Sequence, residues 1–512
     1  MFRCIRPRAR RDIPASQPAT QKVTTRIRVA TTRFTASLPS QSRKWPNMVS
    51  SAFTLAREGR DVSAGIRLGL VCMKLSMAPP PRTVNADPST NHAEARSAAG
   101  IASSFGNSRL HQLARIRAVP PLRAPSMSMS FIDLAAQQRR IRGKIDAAIA
   151  AVLDSGAYVM GPQVREFEAR LAAFGQAKLA LSCANGTDAI ALPLMAWNVG
   201  PGDAVFCPSF TFAATPEVVP WVGATPVFVD VLPDTFNLNP ARLEAAIAGV
   251  KAEGKLTPRV VIAVDLFGQP ADYPAIKAIC DREGLKLVAD SAQGFGCTLD
   301  GKHPLHWADV ATTSFFPAKP LGCYGDGGAV LTNDQELWDL MDSFRVHGKA
   351  VAPDLVGRTF DHDTKYLNTR IGMNSRLDTI QAAILIEKLA LFPEEIGLRQ
   401  IVADRYAEGL RDAVIATPKV IDGGVSVWAQ YVIEHENRDG LAAHLKTQGI
   451  PTAVYYPVPM HVQAPYAGFP RGAGGLPVTE AKAQTVLALP MHPYLAQTDQ
   501  QRIIDAIRAF NG

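Results

Sequence analysis

The sequence predicts an α/β protein: a large domain of three layers, αβα, around a mostly parallel sheet, followed by a smaller C-terminal α+β domain. Three observations carry this. From residue 130 onward, short runs rich in Val, Ile and Ala alternate with helix-like stretches, and such alternation implies parallel strands with helices on both faces. The runs are apolar along their length, as buried strands are. A long helical stretch, 377–410, then leads into a portion of mixed character.

The first quarter is different. The chain has 512 residues and a net charge of +8, but residues 1–130 hold 21 Lys+Arg and 5 Asp+Glu, leaving 33 and 41 for the rest. The basic balance therefore belongs to the N-terminal quarter and says nothing about nucleic-acid binding by the remainder, which is net acidic. "MFRCIRPRARRDIPASQPATQKVTTRIRVATTR" is rich in Arg, Ser and Thr and nearly free of acid. It fits a start codon placed too early, a transit peptide or a basic arm. Without a periodic apolar face it cannot offset its ordering entropy, so residues 1–129 are expected to form a disordered extension. The large domain is expected over 130–389 and the small one over 390–512.

Apolar residues make up 47% of the chain and charged residues 20%, ordinary for a globular protein. Seven cysteines (4, 72, 183, 207, 280, 297 and 323) include no CxxC pair. They read as reduced thiols of a cytoplasmic protein, with no metal site. No run of ~18 apolar residues is present, so no membrane helix is expected.

An amphipathic helix is expected from "SFIDLAAQQRRIRGKIDAAIAAVLDSG" (130–156). "SCANGTDAIALPLMAW" (182–197) turns from strand into helix at Asn185-Gly186-Thr187, where backbone amides and a hydroxyl make an anion site or a plain helix cap. Buried strands are expected at 203–210, 224–231, 259–268 and 285–293, with helices near 239–250 and 273–284. "AGVKAEGKL" (248–256) reads as an insertion that lengthens a surface loop. Phe210 and Phe212 follow the first of these strands, as core or as a platform for a flat ring.

Asp290 ends the run "KLVAD". An unpaired carboxylate there would be costly; it caps the next helix or pairs with a cationic ring nitrogen. Gln293 follows three residues on and could bond a ring substituent. Ser314-Phe315-Phe316 reads as a short buried strand ended by Pro317. Lys319 stands between that strand and a glycine-rich run, where desolvation would lower its pKa and make it a nucleophile. An amine for a carbonyl, an acid for a pyridinium nitrogen, a phosphate cradle and an aromatic platform are the parts needed to hold pyridoxal phosphate.

At this point the chain from about 130 to 512 resembles the DegT/StrS-type sugar aminotransferases, fold-type-I pyridoxal-phosphate enzymes. The matching stretches include "SCANGTDA", "PSFTFAAT", "LFGQPADY", "ADSAQGFG", "SFFPAKPLGCYGDGGAV" and "RIGMNSRLDTIQAAIL". The resemblance implies that Lys319 condenses with the cofactor aldehyde and moves the proton, with Asp290 at the pyridine nitrogen and Gln293 at the ring hydroxyl. It implies Gly186, Thr187 and Ser314 at the phosphate, Phe212 on the ring face, and Asn374 reaching the phosphate of a neighbouring subunit in a homodimer with shared active sites. Within the family the chain looks most like the UDP-2-acetamido-2-deoxy-3-keto-glucuronate aminotransferases, which use glutamate as donor and return 2-oxoglutarate. The alternative substrate is a dTDP-3-keto- or 4-keto-6-deoxyhexose. Leu367-Asn368 stands where that subgroup often has His-His, and Tyr455-Tyr456 where it often has His-Tyr. Arg376 is the expected partner of a uronate carboxylate, or else a salt-bridge partner of Asp378 or a helix-capping charge. In the related dehydratase branch the lysine is replaced, usually by His; Lys319 argues against that branch. The intact set also argues against a non-catalytic binding protein.

Overall fold

The computed structural model describes residues 129–357 and 366–511. Apart from Met129, the extension expected over 1–129 lies outside the described residues. The chain enters through helices α1 (Leu134–Ser155) and α2 (Pro162–Phe174). Asp133 starts α1 by accepting from the Ala136 amide at 2.9 Å, and Gly156 ends it at φ 66°, a left-handed cap that costs glycine nothing.

The large sheet then forms: β1 (Leu179–Cys183), α3 (Gly186–Ala196), β2 (Asp203–Pro208), α4 (Ala214–Trp221), β3 (Thr225–Val229), α5 (Pro240–Glu253), β4 (Thr257–Val264), α6 (Tyr273–Glu283) and β5 (Lys286–Asp290). A two-residue strand β6 (Thr298–Leu299) precedes β7 (Val310–Ser314), β8 (Gly328–Thr332) and α7 (Gln335–Arg345). Seven strands lie in the order β1-β8-β7-β5-β4-β2-β3. β2, β3, β4, β5 and β7 pair in parallel, and β8 runs antiparallel to both its neighbours, β1 and β7. The expected αβα domain with a mostly parallel sheet is what the structure contains.

Period-2 alternation sorts each strand between two cores. Phe206, Val261, Ala263, Leu287 and Ala289 face one, with Phe167, Leu171, Ile276, Leu385 and Phe392. Val205, Val260, Ile262 and Val288 face the other, with Ile190, Leu192 and Val218. Both faces are covered, so the runs read as continuously apolar. Each fully buried Leu or Phe contributes roughly 1.5–3 kcal/mol over its exposed state.

The 32-residue helix α8 (Thr379–Leu410) joins the two parts of the chain. Its Leu385 and Phe392 pack in the sheet core, while Val402, Tyr406 and Leu410 pack in a separate C-terminal core. The expected boundary at 389/390 thus falls inside a continuous helix. Beyond it, a short strand β9 (Gly424–Val425) pairs with β6, and β10 (Tyr431–Glu434) pairs antiparallel with β11 (Val486–Leu489). Helices α9 (Arg438–Thr447), α10 (Pro477–Thr485) and α11 (Gln497–Arg508) complete this part.

Two local expectations fail. The stretch 248–256, read as a lengthened loop, is helix through Glu253, because α5 continues to a left-handed Gly254 cap. Ser314-Phe315-Phe316 is not a strand: β7 ends at Ser314, Phe315 is buried and Phe316 is 52% exposed. The apolar pair is split because the chain turns there to begin the Lys319 loop.

Phe206 is fully buried in the sheet core. Replacing it with Ala is expected to cost about 3–5 kcal/mol, measured as a lowered midpoint in denaturant unfolding.

Candidate active site

The carboxyl ends of the parallel strands carry the chemistry, as such sheets place it. Asp290, the last residue of β5, is 4% exposed. Its Oδ2 accepts from Thr215 Oγ1 at 2.9 Å and its Oδ1 from the Ala292 amide at 3.2 Å. Thr215 in turn meets Thr211 at 3.0 Å. Burial raises the Asp290 pKa; the Thr215 hydroxyl, the Ala292 amide and the charge of Lys319 work against that. Each carboxylate oxygen has one protein donor and keeps capacity for a further, cationic one.

Lys319 lies on a loop that folds back on itself between β7 and β8. Phe315 N donates to Gly327 O at 2.7 Å, Lys319 N to Phe316 O at 2.8 Å and Cys323 N to Phe315 O at 2.8 Å. On α8, the buried Lys388 donates from Nζ to Gly322 O at 2.6 Å, beneath the Tyr324 ring at 4.3 Å. The Lys319 amine makes no hydrogen bond or ion pair with any described residue. Desolvation lowers its pKa, and the nearby Asp290 charge opposes that shift. A partly buried amine under the influence of a carboxylate can condense with a carbonyl and carry a proton.

Helix α3 begins at Gly186 behind its cap Asn185, whose side chain accepts from the Asp188 amide at 2.8 Å. The amides of Gly186 and Thr187, first-turn donors, make no hydrogen bond to any described residue. A Cβ on Gly186 would lie 2.6 Å from Ser314 Cβ, so only glycine lets the helix end meet the end of β7. Gly328 is tight for the same reason: a Cβ there would lie 2.3 Å from Asn185 O. The Ser314 hydroxyl accepts from Phe316 N at 3.3 Å and donates to no described group. Phe212, just after β2, is 57% exposed.

The other expected residues divide. Gln293 is engaged at both ends: its Oε1 accepts from the Phe267 amide at 2.9 Å and its Nε2 donates to Tyr456 Oη at 2.8 Å. Tyr456 is thereby brought to Gln293, edge-on to Phe210, while Tyr455 packs near Phe131. Asn374 and Arg376 line a different cleft, of about 390 Å³, with Ala184, Asp326, Asp378 and Gln381; Lys319 and Asp290 do not line it. Arg376 makes no ion pair with Asp378 or any other described residue. Sequence reasoning missed Thr215 and Lys388. Thr211 and Thr215, four residues apart and opening a helix, were the available signal for the first; Lys388 sits in an apolar run with nothing to mark its partner.

The free first-turn amides, the Gly186–Ser314 close approach, the buried carboxylate and the unpartnered amine fit a phosphorylated pyridine aldehyde. The profile of the DegT/DnrJ/EryC1/StrS aminotransferase family matches residues 139–508. The chain belongs to that family. Like other DegT-type aminotransferases it depends on pyridoxal phosphate. It is 48% identical over 369 residues to the UDP-2-acetamido-2-deoxy-3-oxo-D-glucuronate aminotransferase of Pseudomonas aeruginosa, covering 72% of this chain and 96% of that one. It is 39% identical over 389 residues to the dTDP-3-amino-3,4,6-trideoxy-alpha-D-glucose transaminase of Streptomyces venezuelae, covering 75% and 97%. Among solved structures, a DegT DnrJ EryC1 StrS aminotransferase from Brucella abortus superposes with a TM-score of 0.71 at 51% identity, covering 75% of this chain and all of that one. Among the described residues no helix is long and apolar enough to cross a membrane, and no His, Cys, Asp and Glu group could hold a metal.

Burial pushes Lys388 from 10.5 down to about 8. Between those values the unfolded chain binds more protons than the folded one, so this group makes stability rise with pH, by at most about 1.4 kcal/mol per unit. Lys388→Met is expected to flatten that rise between pH 8 and 10 in denaturant unfolding.

Proposed function

We propose that this family member transfers an amino group from L-glutamate to the 3-keto carbon of UDP-2-acetamido-2-deoxy-3-keto-glucuronate, making a sugar for cell-surface polysaccharide such as lipopolysaccharide. The observation that carries this is the 48% identity spanning 96% of the Pseudomonas aeruginosa relative of that activity. We place the reaction in the cytoplasm, in a homodimer.

When bound, pyridoxal phosphate supplies the electron sink for the pair released as a substrate C–H bond breaks. The chain's own groups do the rest. The Gly186 and Thr187 amides and the Ser314 hydroxyl hold the phosphate. Asp290, held by Thr215, keeps the ring nitrogen protonated. Phe212 covers the ring face. Gln293 has a second amide hydrogen for the ring hydroxyl and aligns Tyr456 with its first. Lys319, its pKa lowered by burial, would take the proton from the amino-acid carbon and deliver a proton to the former keto carbon of the sugar, which becomes the amine-bearing carbon. Arg376, which shares the Asn374 cleft, would grip the uronate carboxylate of a sugar in the second copy's site as a two-pronged donor, and Tyr455 would meet the sugar beside Tyr456.

A second reading, amination of a dTDP-ketohexose, draws on the likeness to the Streptomyces venezuelae transaminase and on Tyr455-Tyr456 and Leu367-Asn368. To separate the two, protein carrying pyridoxamine phosphate is offered UDP- and dTDP-linked ketosugars, and return of the visible absorbance is followed. The UDP-uronate is expected to react fastest; a dTDP-ketohexose reacting faster would favour the second reading. Arg376→Ala is expected to raise KM for the uronate about 10–100-fold, the loss of one hydrogen-bonded ion pair, with little effect on a sugar lacking the carboxylate. Lys319→Ala is expected to abolish turnover.

Asn374 is exposed and lines a cleft that Lys319 and Asp290 do not line, which supports its reaching a second copy's phosphate. Lys319→Ala and Asn374→Ala protomers, each inactive, are expected to regain activity at one site per mixed dimer. No recovery after verified subunit exchange would return Asn374 to its own chain's site.

A further inference from the structure

Behind Asp290 stands a second carboxyl. Asp265 follows β4, the strand paired with β5, and its amide donates to Asp290 O at 3.0 Å. It is fully buried and points away from any solvent, yet it is not orphaned. Oδ1 accepts from Tyr273 Oη at 2.7 Å and from the Ala271 amide at 3.2 Å, and Oδ2 accepts from Ser291 Oγ at 2.5 Å. Ser291 is the residue next to Asp290. Gly294, at the far end of the same turn, is packed so closely that a Cβ on it would lie 2.3 Å from Asp265 Cβ. Asp265 therefore backs the whole turn that carries both Asp290 and Gln293.

Two carboxyls on neighbouring strand ends, both out of water, repel. Their charges can be held together only if one takes a proton or a cation arrives beside them. The groups facing Asp265 offer no such cation: Tyr273 from α6, Ser291 and Asp290 from the end of β5, and the Cys297 thiol, which burial and Asp265 both push up. Lys319 acts on Asp290 from the other side.

We infer that Asp265 is a positioning residue whose ionisation is coupled, through Asp290, to the arrival of a protonated pyridine ring. This rests on the proposed pairing of Asp290 with the ring nitrogen. When the pyridinium neutralises Asp290, the repulsion on Asp265 falls and its proton leaves for solvent. The ionised Asp265 then adds negative potential behind Asp290 and helps the ring nitrogen keep its proton. Burial pushes Asp265 up to about 7, offset by Ser291, Tyr273 and Ala271 and aided by a smaller push from the Asp290 charge, which puts the exchange in the neutral range.

The test titrates the full-length, cofactor-free protein with pyridoxamine 5′-phosphate, which has no aldehyde and so forms no bond with Lys319. Calorimetry in two buffers of different ionisation enthalpy counts the protons released. Near pH 7 the wild type is expected to release up to about half a proton more than Asp265→Asn, the amount held by a group at its own pKa. Equal release by both would overturn the inference. Ser291→Ala keeps the carboxyl but removes a donor to its charged form, so maximal release is expected to move to higher pH; an unmoved maximum also counts against it, and this variant serves if Asp265→Asn does not fold. Asp290→Asn separates the two readings. If it binds pyridoxamine phosphate as tightly as wild type, the Asp290 pairing itself fails. If it binds weakly while wild type and Asp265→Asn release the same protons, only the role of Asp265 fails.

Discussion

Everything at this site depends on keeping Asp290 ionisable while it is out of water. A bare carboxylate at the end of a buried strand is not tolerated. The chain supplies the Thr215 hydroxyl and the Ala292 amide directly and the Lys319 charge at a distance. That partial satisfaction leaves the carboxylate able to accept one more strong donor. The same low-polarity surroundings lower the pKa of the Lys319 amine. One physical condition, exclusion of water, therefore prepares both the acid and the amine.

The sheet order makes that condition possible. β5 and β7 are adjacent and parallel, so Asp290 and the start of the Lys319 loop emerge at the same edge. β8 returns antiparallel beside β7, which forces the intervening segment into a closed loop. Lys388 secures that loop from α8 by holding Gly322 O, an expensive device, since a lysine amine is buried to do it. The antiparallel pairing of β1 with β8 brings Cys183 opposite Gly328, and so carries the first turn of α3 against Ser314. The meeting of the α3 end with Ser314 is a consequence of strand neighbours, β1 and β8, that lie far apart in the chain, whereas the acid and the amine come from strands close in sequence.

Much of this was legible in the residues. Apolar runs of strand length marked β2 to β5, because strands covered on both faces need no polar side. Lys319, Asp290 and the Gly186-Thr187 turn stood out as polar groups at the ends of such runs. Where the reading failed, local pattern was ambiguous. Phe315-Phe316 looked like strand, but a pair of aromatics does not state which one turns outward. Residues 248–256 looked like loop because of their glycines and lysines, although nothing there forbids helix from continuing through Glu253.

The sequence by itself determined the class of fold, the kinds of chemical group at the strand ends and the family, since periodicity and residue type are local properties of the chain. The tertiary structure alone decided which groups satisfy which. That Thr215 meets Asp290, 75 residues on, that Gln293 meets Tyr456 across 163 residues, and that Lys388 reaches back 66 residues to Gly322 depend on strand order and helix placement. Periodicity tells a residue which face to take, but not which neighbour will be waiting there.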